Sequence, residues 1–445
     1  MTGANEPPAA RRSGLIWVAV VAAIAGIATG LVGGAFRWVL ERADALRSQI
    51  VGWSLETPGG WLVPILFTGL AAATAAAIVQ LSPRAAGSGI QDVEAVVRGE
   101  VSPAPFSVIP ARFLGGALAI GGGLVLGREG PTVHMGAALG TSTARMMRRG
   151  DDEIRIAQTA LAGAGLAVAF NAPIGGALFV FEEVTHKVNT RLTIATLVSV
   201  GLAVAFARIF LGDHADFSVQ QIAATPLSLL PLFAGFGVVI GLLGALYSSL
   251  TVGFVLLAQR LRRIPVTVRA GVVGAAVGAA LMYDPLTVGG GDTVTQLALH
   301  GTAFAFPILL TYVVIRFLAG PLSYAAGTPG GLFAPLLALG ALLGLAFHQA
   351  TSWLSPAMTD DIALTLALVG MSTLFAAVVR APLTGIALIV EMTATTSVVV
   401  PMIIAGATAM LTTTLLKSKP VYDSLREIFV KSTDGDGTPR SASAS

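Results

Sequence analysis

Several stretches of this chain run for about twenty residues or more without a charged side chain. Examples are Leu15–Phe36, Trp61–Leu81, Leu227–Ala258 and Val398–Leu416. A run of that length matches the hydrocarbon thickness of a bilayer when wound as a helix. Hydrocarbon offers backbone N–H and C=O groups no partner, so a chain crossing it closes its own hydrogen bonds, as helices or as a sealed barrel. Uninterrupted runs of this kind select helices. The composition agrees: 54% of residues are hydrophobic and 11% are charged, with a mean hydropathy of +0.80. Soluble domains carry about 25% charged residues. The expected fold class is therefore an all-α polytopic membrane protein, with the lipid bilayer as its solvent.

Charge sets topology here. The net charge of +3 is small, and the basic residues lie mostly in connecting segments, which excludes a nucleic-acid surface. Arg11 and Arg12 precede the first apolar run, and Lys417, Lys419, Arg426 and Lys431 follow the last. Both termini are thus expected on the cytoplasmic side of a cell (inner) membrane, with an even number of crossings. The tail at 434–445 reads as disordered. There are no cysteines, which removes thiolate metal sites and a cysteine nucleophile. The five histidines are scattered without metal spacing, and no hydrolase, zinc-protease or phosphate-loop motif appears. No enzyme, metal or cofactor is expected.

The chain also repeats itself. Arg112-Phe113-Leu114 returns 204 residues later as Arg316-Phe317-Leu318, and so does Gly127…Pro131 as Gly331…Pro335. Gly136-Ala137-x-Leu139-Gly140 returns at the same offset as Gly340-Ala341-x-Leu343-Gly344. Ala172-Pro173-x-x-Gly176 matches Ala381-Pro382-x-x-Gly385, with Glu182 and Glu391 each nine residues beyond the proline. Gly87-Ser88-Gly89 faces Gly289-Gly290-Gly291. The division expected is a tail at 1–13, halves at 14–212 and 228–433 (the second with a C-terminal helix), and a polar linker at 213–227. Duplicated halves place a transport site where they meet, near mid-membrane. Hydropathy leaves their relative orientation open. Pro131–Met147, Pro173–Val184, Leu332–Phe347 and Pro382–Met392 are too short to cross and read as tilted, broken or re-entrant helices.

The repeated motifs share one design: a non-helical turn, usually rich in glycine, running into a short apolar helix. They are Gly87-Ser88-Gly89-Ile90, Gly127-Arg128-Glu129-Gly130-Pro131, Gly331-Leu332-Phe333-Ala334-Pro335, and the pair Asn171-Ala172-Pro173 and Arg380-Ala381-Pro382. A helix start leaves backbone N–H groups unpaired at the positive end of the dipole. Inside a membrane a dehydrated anion is a fitting partner. Partial charges hold it loosely enough to release it.

These motifs, with Tyr422 after Lys419-Pro420, resemble the signature set of the CLC chloride channels and transporters, in order and spacing from about residue 15 to 430. The resemblance implies a homodimer, one pathway per subunit, and two inverted halves of tilted, broken helices. No pair of nucleotide-binding-type domains is expected after the last helix. The implied activity is chloride/proton antiport; a passive voltage- or pH-gated chloride channel of the same fold is the alternative, and a fluoride exchanger fits less well. By the same resemblance, Glu129 is the gate, a carboxylate competing with chloride for helix-start donors until a proton neutralises it. Glu183 is the cytoplasmic proton relay. Ser88 and Tyr422 offer hydroxyls to chloride, and the backbone N–H groups of Leu332 and Phe333 complete the site. Gly87, Gly89, Gly127, Gly130 and Gly331 shape the helix starts. Gln91 departs from the pattern, which has proline there. Arg128 reads as structural and Glu182 and Glu391 as holders of helix ends; Arg112, facing Arg316 in the repeat, either raises the positive potential near the pathway or, the plainer reading, snorkels away from the core.

Overall fold

The computed structural model describes residues 8–220, 222–354 and 358–435. Among them, seventeen α-helices follow in order. The first half holds α1 (Pro8–Glu56), α2 (Leu62–Leu81), α3 (Ile90–Val97), α4 (Val108–Gly121), α5 (Glu129–Met146), α6 (Asp151–Phe170), α7 (Pro173–Phe179) and α8 (Thr190–Leu211). The second holds α9 (Leu230–Arg260), α10 (Val266–Tyr283), α11 (Asp292–Leu299), α12 (Phe306–Ala325), α13 (Phe333–Thr351), α14 (Asp360–Val379), α15 (Pro382–Thr393), α16 (Val399–Leu415) and α17 (Val421–Gly435). Eight helices among the described residues are long and apolar enough to cross a membrane. The 434–445 tail lies almost wholly outside the described residues, as do the first seven of the N-terminal 13; from Pro8 the chain is already α1.

Burial sorts the spans by position. The apolar windows of α13 and α14 are 83% and 94% buried, against 28% for α10. The first two form the protein's interior; α10 turns most of its surface outward, where only lipid suits it. Close approach follows from small residues. A Cβ on Gly26 would lie 2.8 Å from the Ser199 carbonyl on α8, and one on Gly140 would lie 2.6 Å from the Ala157 carbonyl on α6. Such contacts substitute for the hydrophobic drive that lipid removes between helices.

Helices α3 and α11 have eight residues each. At 1.5 Å per residue they reach about 12 Å, less than half the hydrocarbon core. They begin inside the protein, at the buried glycine turns before them, and end at exposed residues. One expectation needs correcting. The run at 332–347 was read as too short to cross, but α13 has 19 residues because the helix continues through His348, Gln349, Ala350 and Thr351. Polar residues at a helix end do not stop it; they only end the apolar run.

Candidate functional site

The glycine loops of the two halves meet inside the protein. Gly127 and Gly331 exchange both backbone hydrogen bonds, each 2.8 Å long. Gly87 donates to Thr328 O and Gly330 donates to Gly87 O, each at 3.2 Å. Gly289 donates to Gly123 O at 3.1 Å. Four loops are thereby sewn into one short ladder, which satisfies amides that would otherwise be stranded away from water. The loops lead into α3, α5, α11 and α13, so the starts of these helices gather around one point. The side chains of the N-cap residues Gly89, Arg128 and Leu332 give α3, α5 and α13 no cap, which leaves their first N–H groups to partners from elsewhere.

Glu129 is the first residue of α5 and is fully buried. Its Oε1 accepts from the Phe333 N–H at 2.6 Å, across the junction of the two halves. The backbone N–H groups of Ala334 and of Glu129 itself lie close to this carboxylate. Leu332 is the buried N-cap of α13, one residue ahead of the amide in contact. A Cβ on Gly127 or on Gly331 would run into the Glu129 carboxylate, and one on Gly130 would meet the Ser88 hydroxyl at 2.7 Å. Glycine is therefore required at these approaches. The carboxylate sits where any anion held by the start of α13 would sit.

Beside it lie two hydroxyls. Ser88 precedes α3, Tyr422 opens α17, and both are fully buried. The Tyr422 hydroxyl faces that of Ser88. Neither makes a hydrogen bond within the described residues, and neither does Glu129 Oε2. Buried polar atoms without partners are rare and costly in native proteins. Three of them converging on one place, among free helix starts, make a cradle for a small anion. The Tyr422 ring packs edge-on against Phe333 at 5.6 Å, and Phe333 in turn packs on Phe375 at 4.6 Å and Phe179 at 6.0 Å. This apolar wall excludes water and strengthens the field of each donor.

Arginines hold the loops from behind. Arg112 does not snorkel; it is fully buried. Its guanidinium donates to the carbonyls of Gly87 at 2.5 Å, Ser88 at 2.9 Å, Ala86 at 3.1 Å and Arg84 at 3.3 Å. Binding the carbonyls turns the opposite face of the loop toward the cradle. Arg316 does the same in the other half, donating to Leu286, Val288 and Gly289. The recurrence of Arg-Phe-Leu in both halves was the sequence signal for this role. Arg128 stays out of the cradle: it pairs with Asp292 at 2.9 Å and Asp216 at 3.3 Å, and donates to Ala169 O. Asp216 also holds Arg37 at 2.9 Å. It belongs to the segment read as a plain linker, which instead folds back: Phe217 is buried and donates its N–H to Met392 O. An open cavity of about 70 Å³, lined by Arg47, Gly127, Arg128, Asp292 and Ala334 among others, reaches this side of the Glu129 loop.

The helix starts at Pro173 and Pro382 are not free for an anion. Glu391 accepts from Ile174 N and Gly175 N at 2.9 and 2.7 Å, and Glu182 accepts from Leu383 N and Thr384 N at 3.0 and 2.6 Å. Each half thus caps the short helix of the other with a built-in carboxylate, which satisfies the dipole that chloride would have sought. Glu183, beside Glu182, is buried in a π turn at Val180–Thr185, within electrostatic reach of Glu94 and Asp423. Glu94 is buried as well, with an unpartnered Oε1.

Comparison with known proteins matches this arrangement to one family. The profile described as voltage gated chloride channel covers residues 70–414. The H(+)/Cl(-) exchange transporter ClcA of Cronobacter sakazakii is 35% identical over 417 residues, covering 92% of this chain and 89% of that protein. A crystal structure of a slow cyanobacterial Cl−/H+ antiporter superposes with a TM-score of 0.89 at 29% identity, over 94% of this chain and 99% of that one. A CLC-type fluoride/proton antiporter shares the fold, with a TM-score of 0.75 at 18% identity over 92% and 98% of the two chains. The expected fold class, an all-α membrane protein of two inverted halves with tilted and broken helices, is the one found. By its sequence, its helix order and its interior glycine loops, this chain is a multi-pass membrane protein belonging to the CLC, or voltage gated chloride channel, family.

Proposed function

We propose that this protein exchanges chloride for protons across the membrane, with Glu129 as the gate. The observation that carries the reading is the hydrogen bond from the Phe333 N–H to the Glu129 carboxylate. A carboxylate bound to a helix start can be displaced by another anion, or released by a proton that removes its charge. Either event vacates donors that chloride can use, and this links proton and anion. Ser88 and Tyr422, each with an unpaired buried hydroxyl, hold the anion one step further in. Glu183 passes protons to Glu129 from the cytoplasmic side; its burial beside Glu94 supports a group that alternates between charged and neutral forms. The relatives' names, H(+)/Cl(-) exchange transporter and Cl−/H+ antiporter, support the same exchange. The protein works as a homodimer in the inner membrane, each subunit with its own pathway and both termini cytoplasmic.

The test is proton uptake by liposomes holding the purified protein, driven by an outward chloride gradient. Uphill proton movement is expected. Chloride flux without any proton movement, in vesicles that hold a pH gradient, sinks exchange in favour of a passive channel.

A further inference from the structure

Two backbone amides stand just ahead of α3 in the loop that carries Ser88, those of Ser88 and Gly89. Neither is free. The Gly89 N–H donates to the side-chain Oε1 of Gln91 at 3.1 Å. The Ser88 N–H donates to the Tyr324 hydroxyl at 3.3 Å. Gln91 Nε2 and the Tyr324 hydroxyl both border Gly87, each 3.1 Å from where its Cβ would stand, so the two side chains lie together over the loop. Gln91, Tyr324 and Ser88 are all buried. The carbonyls of the same loop are held by Arg112. What remains unpaired on Ser88 is its hydroxyl alone.

We propose that Gln91, with Tyr324, sets the strength of the anion site by occupying the Ser88 and Gly89 amide donors just ahead of α3, leaving the Ser88 hydroxyl as the free donor of that residue pair. The inference rests on the chloride-site reading above. The amide oxygen of Gln91 is a neutral stand-in for the anion: it satisfies the helix start while adding no charge. A helix start capped in this way presents less positive potential to the cradle than a bare one. Chloride is then held more weakly and leaves more readily, which suits a site that works by release.

The experiment is chloride binding to the purified full-length protein in detergent, by titration calorimetry, on the wild type and on Gln91→Ala, Gln91→Glu and Tyr324→Phe. Removing the amide cap frees one donor, and Gln91→Ala is expected to bind chloride about three- to tenfold more tightly, the span of one net hydrogen bond. Tyr324→Phe frees the Ser88 N–H and shifts affinity the same way. Gln91→Glu puts a carboxylate on the same amide, and its affinity drops at least about tenfold at neutral pH, recovering as the pH falls. A merely structural role for Gln91 lowers affinity in Ala and Glu alike, so weaker or unchanged binding in both Gln91→Ala and Tyr324→Phe overturns the proposal. Wild-type protein that binds no chloride, or Ser88→Ala that binds it unchanged, overturns the site itself and the proposal with it.

Discussion

The starts of α3 and α11 are built on the same backbone and do different things. Each follows a glycine in the left-handed region, Gly89 at φ +87° and Gly291 at φ +103°. Each loop has its carbonyls held by a buried arginine, Arg112 or Arg316. Yet the α3 loop carries Ser88, with an unpaired hydroxyl in the interior, where the α11 loop carries Gly290 and opens on Asp292, which is tied up by Arg128. The starts of α5 and α13 differ in the same manner: one supplies the Glu129 carboxylate, the other the Phe333 amide that receives it. Duplication supplied the polarised backbone twice over. Function lies where the two copies depart from each other.

The sharpest way to break this comparison is to make the α5 start resemble the α13 start, which lacks a carboxylate. Glu129→Gln is expected to abolish proton movement, a fall of at least about a hundredfold, while chloride still passes; an amide cannot take up and release the proton. Proton flux that survives in liposomes removes Glu129 from the coupling. Glu183→Gln is expected to cut proton flux at least about tenfold and chloride flux far less, since Glu183 lies among Glu94 and Asp423 rather than at the Phe333 amide. Equal losses in the two fluxes would assign Glu183 to the anion path.

The two arginines offer a comparison in stability. Arg112→Met takes a donor from four loop carbonyls, and since Gly87 O keeps the Gly330 N–H, it strands three of them. At about 1 kcal/mol or more for each stranded acceptor, the loss is about 3 kcal/mol or greater. Arg316→Met strands three as well and costs about as much. Thermal unfolding in detergent measures both. Variants at Arg112 that keep full stability show the loop carbonyls to be satisfied without it. Only the Arg112 change should also weaken chloride binding, because only its loop contains Ser88.

Much of this was legible in the sequence, and the reason is periodic. Apolar runs, glycine turns and a repeat at a fixed offset are local patterns, so the spans, the helix starts and Glu129 could be placed by reading along the chain. What the sequence withheld depends on distance through space. Gln91 reads as a departure from a motif; that its side chain turns back onto Gly89 and lies with Tyr324, far along the chain, is a matter of rotamer and packing. Asp216 sits in a polar segment that looks like any linker until Arg37 and Arg128 are found on either side of it. Arg112 could have gone to the membrane surface by its long stem; four carbonyls in reach drew it inward. The shared proline motif made Pro173 and Pro382 look like the other helix starts, and only the geometry reveals that Glu391 and Glu182 already fill them.

Those two carboxylates give the smallest and most discriminating effect. Glu182 and Glu391 occupy equivalent places in the repeat and cap each other's partner helix, so replacing either with glutamine keeps the shape and removes one charge from a helix start. The expected cost is about 0.5–1 kcal/mol each, the worth of a charge near a dipole. Glu182 also accepts from the Thr384 hydroxyl at 2.7 Å, so Glu182→Gln should be the more destabilising by a margin resolvable in paired thermal scans. Neither change should alter the ratio of chloride to protons moved. Glu182 and Glu183 are adjacent in the chain, but one faces a helix start and the other a buried acidic neighbourhood. If Glu182→Gln disturbs the coupling ratio and Glu183→Gln does not, the proton route runs through the symmetric residue, and the rule that function lies in the departures from symmetry fails at the place where the two kinds of residue stand side by side.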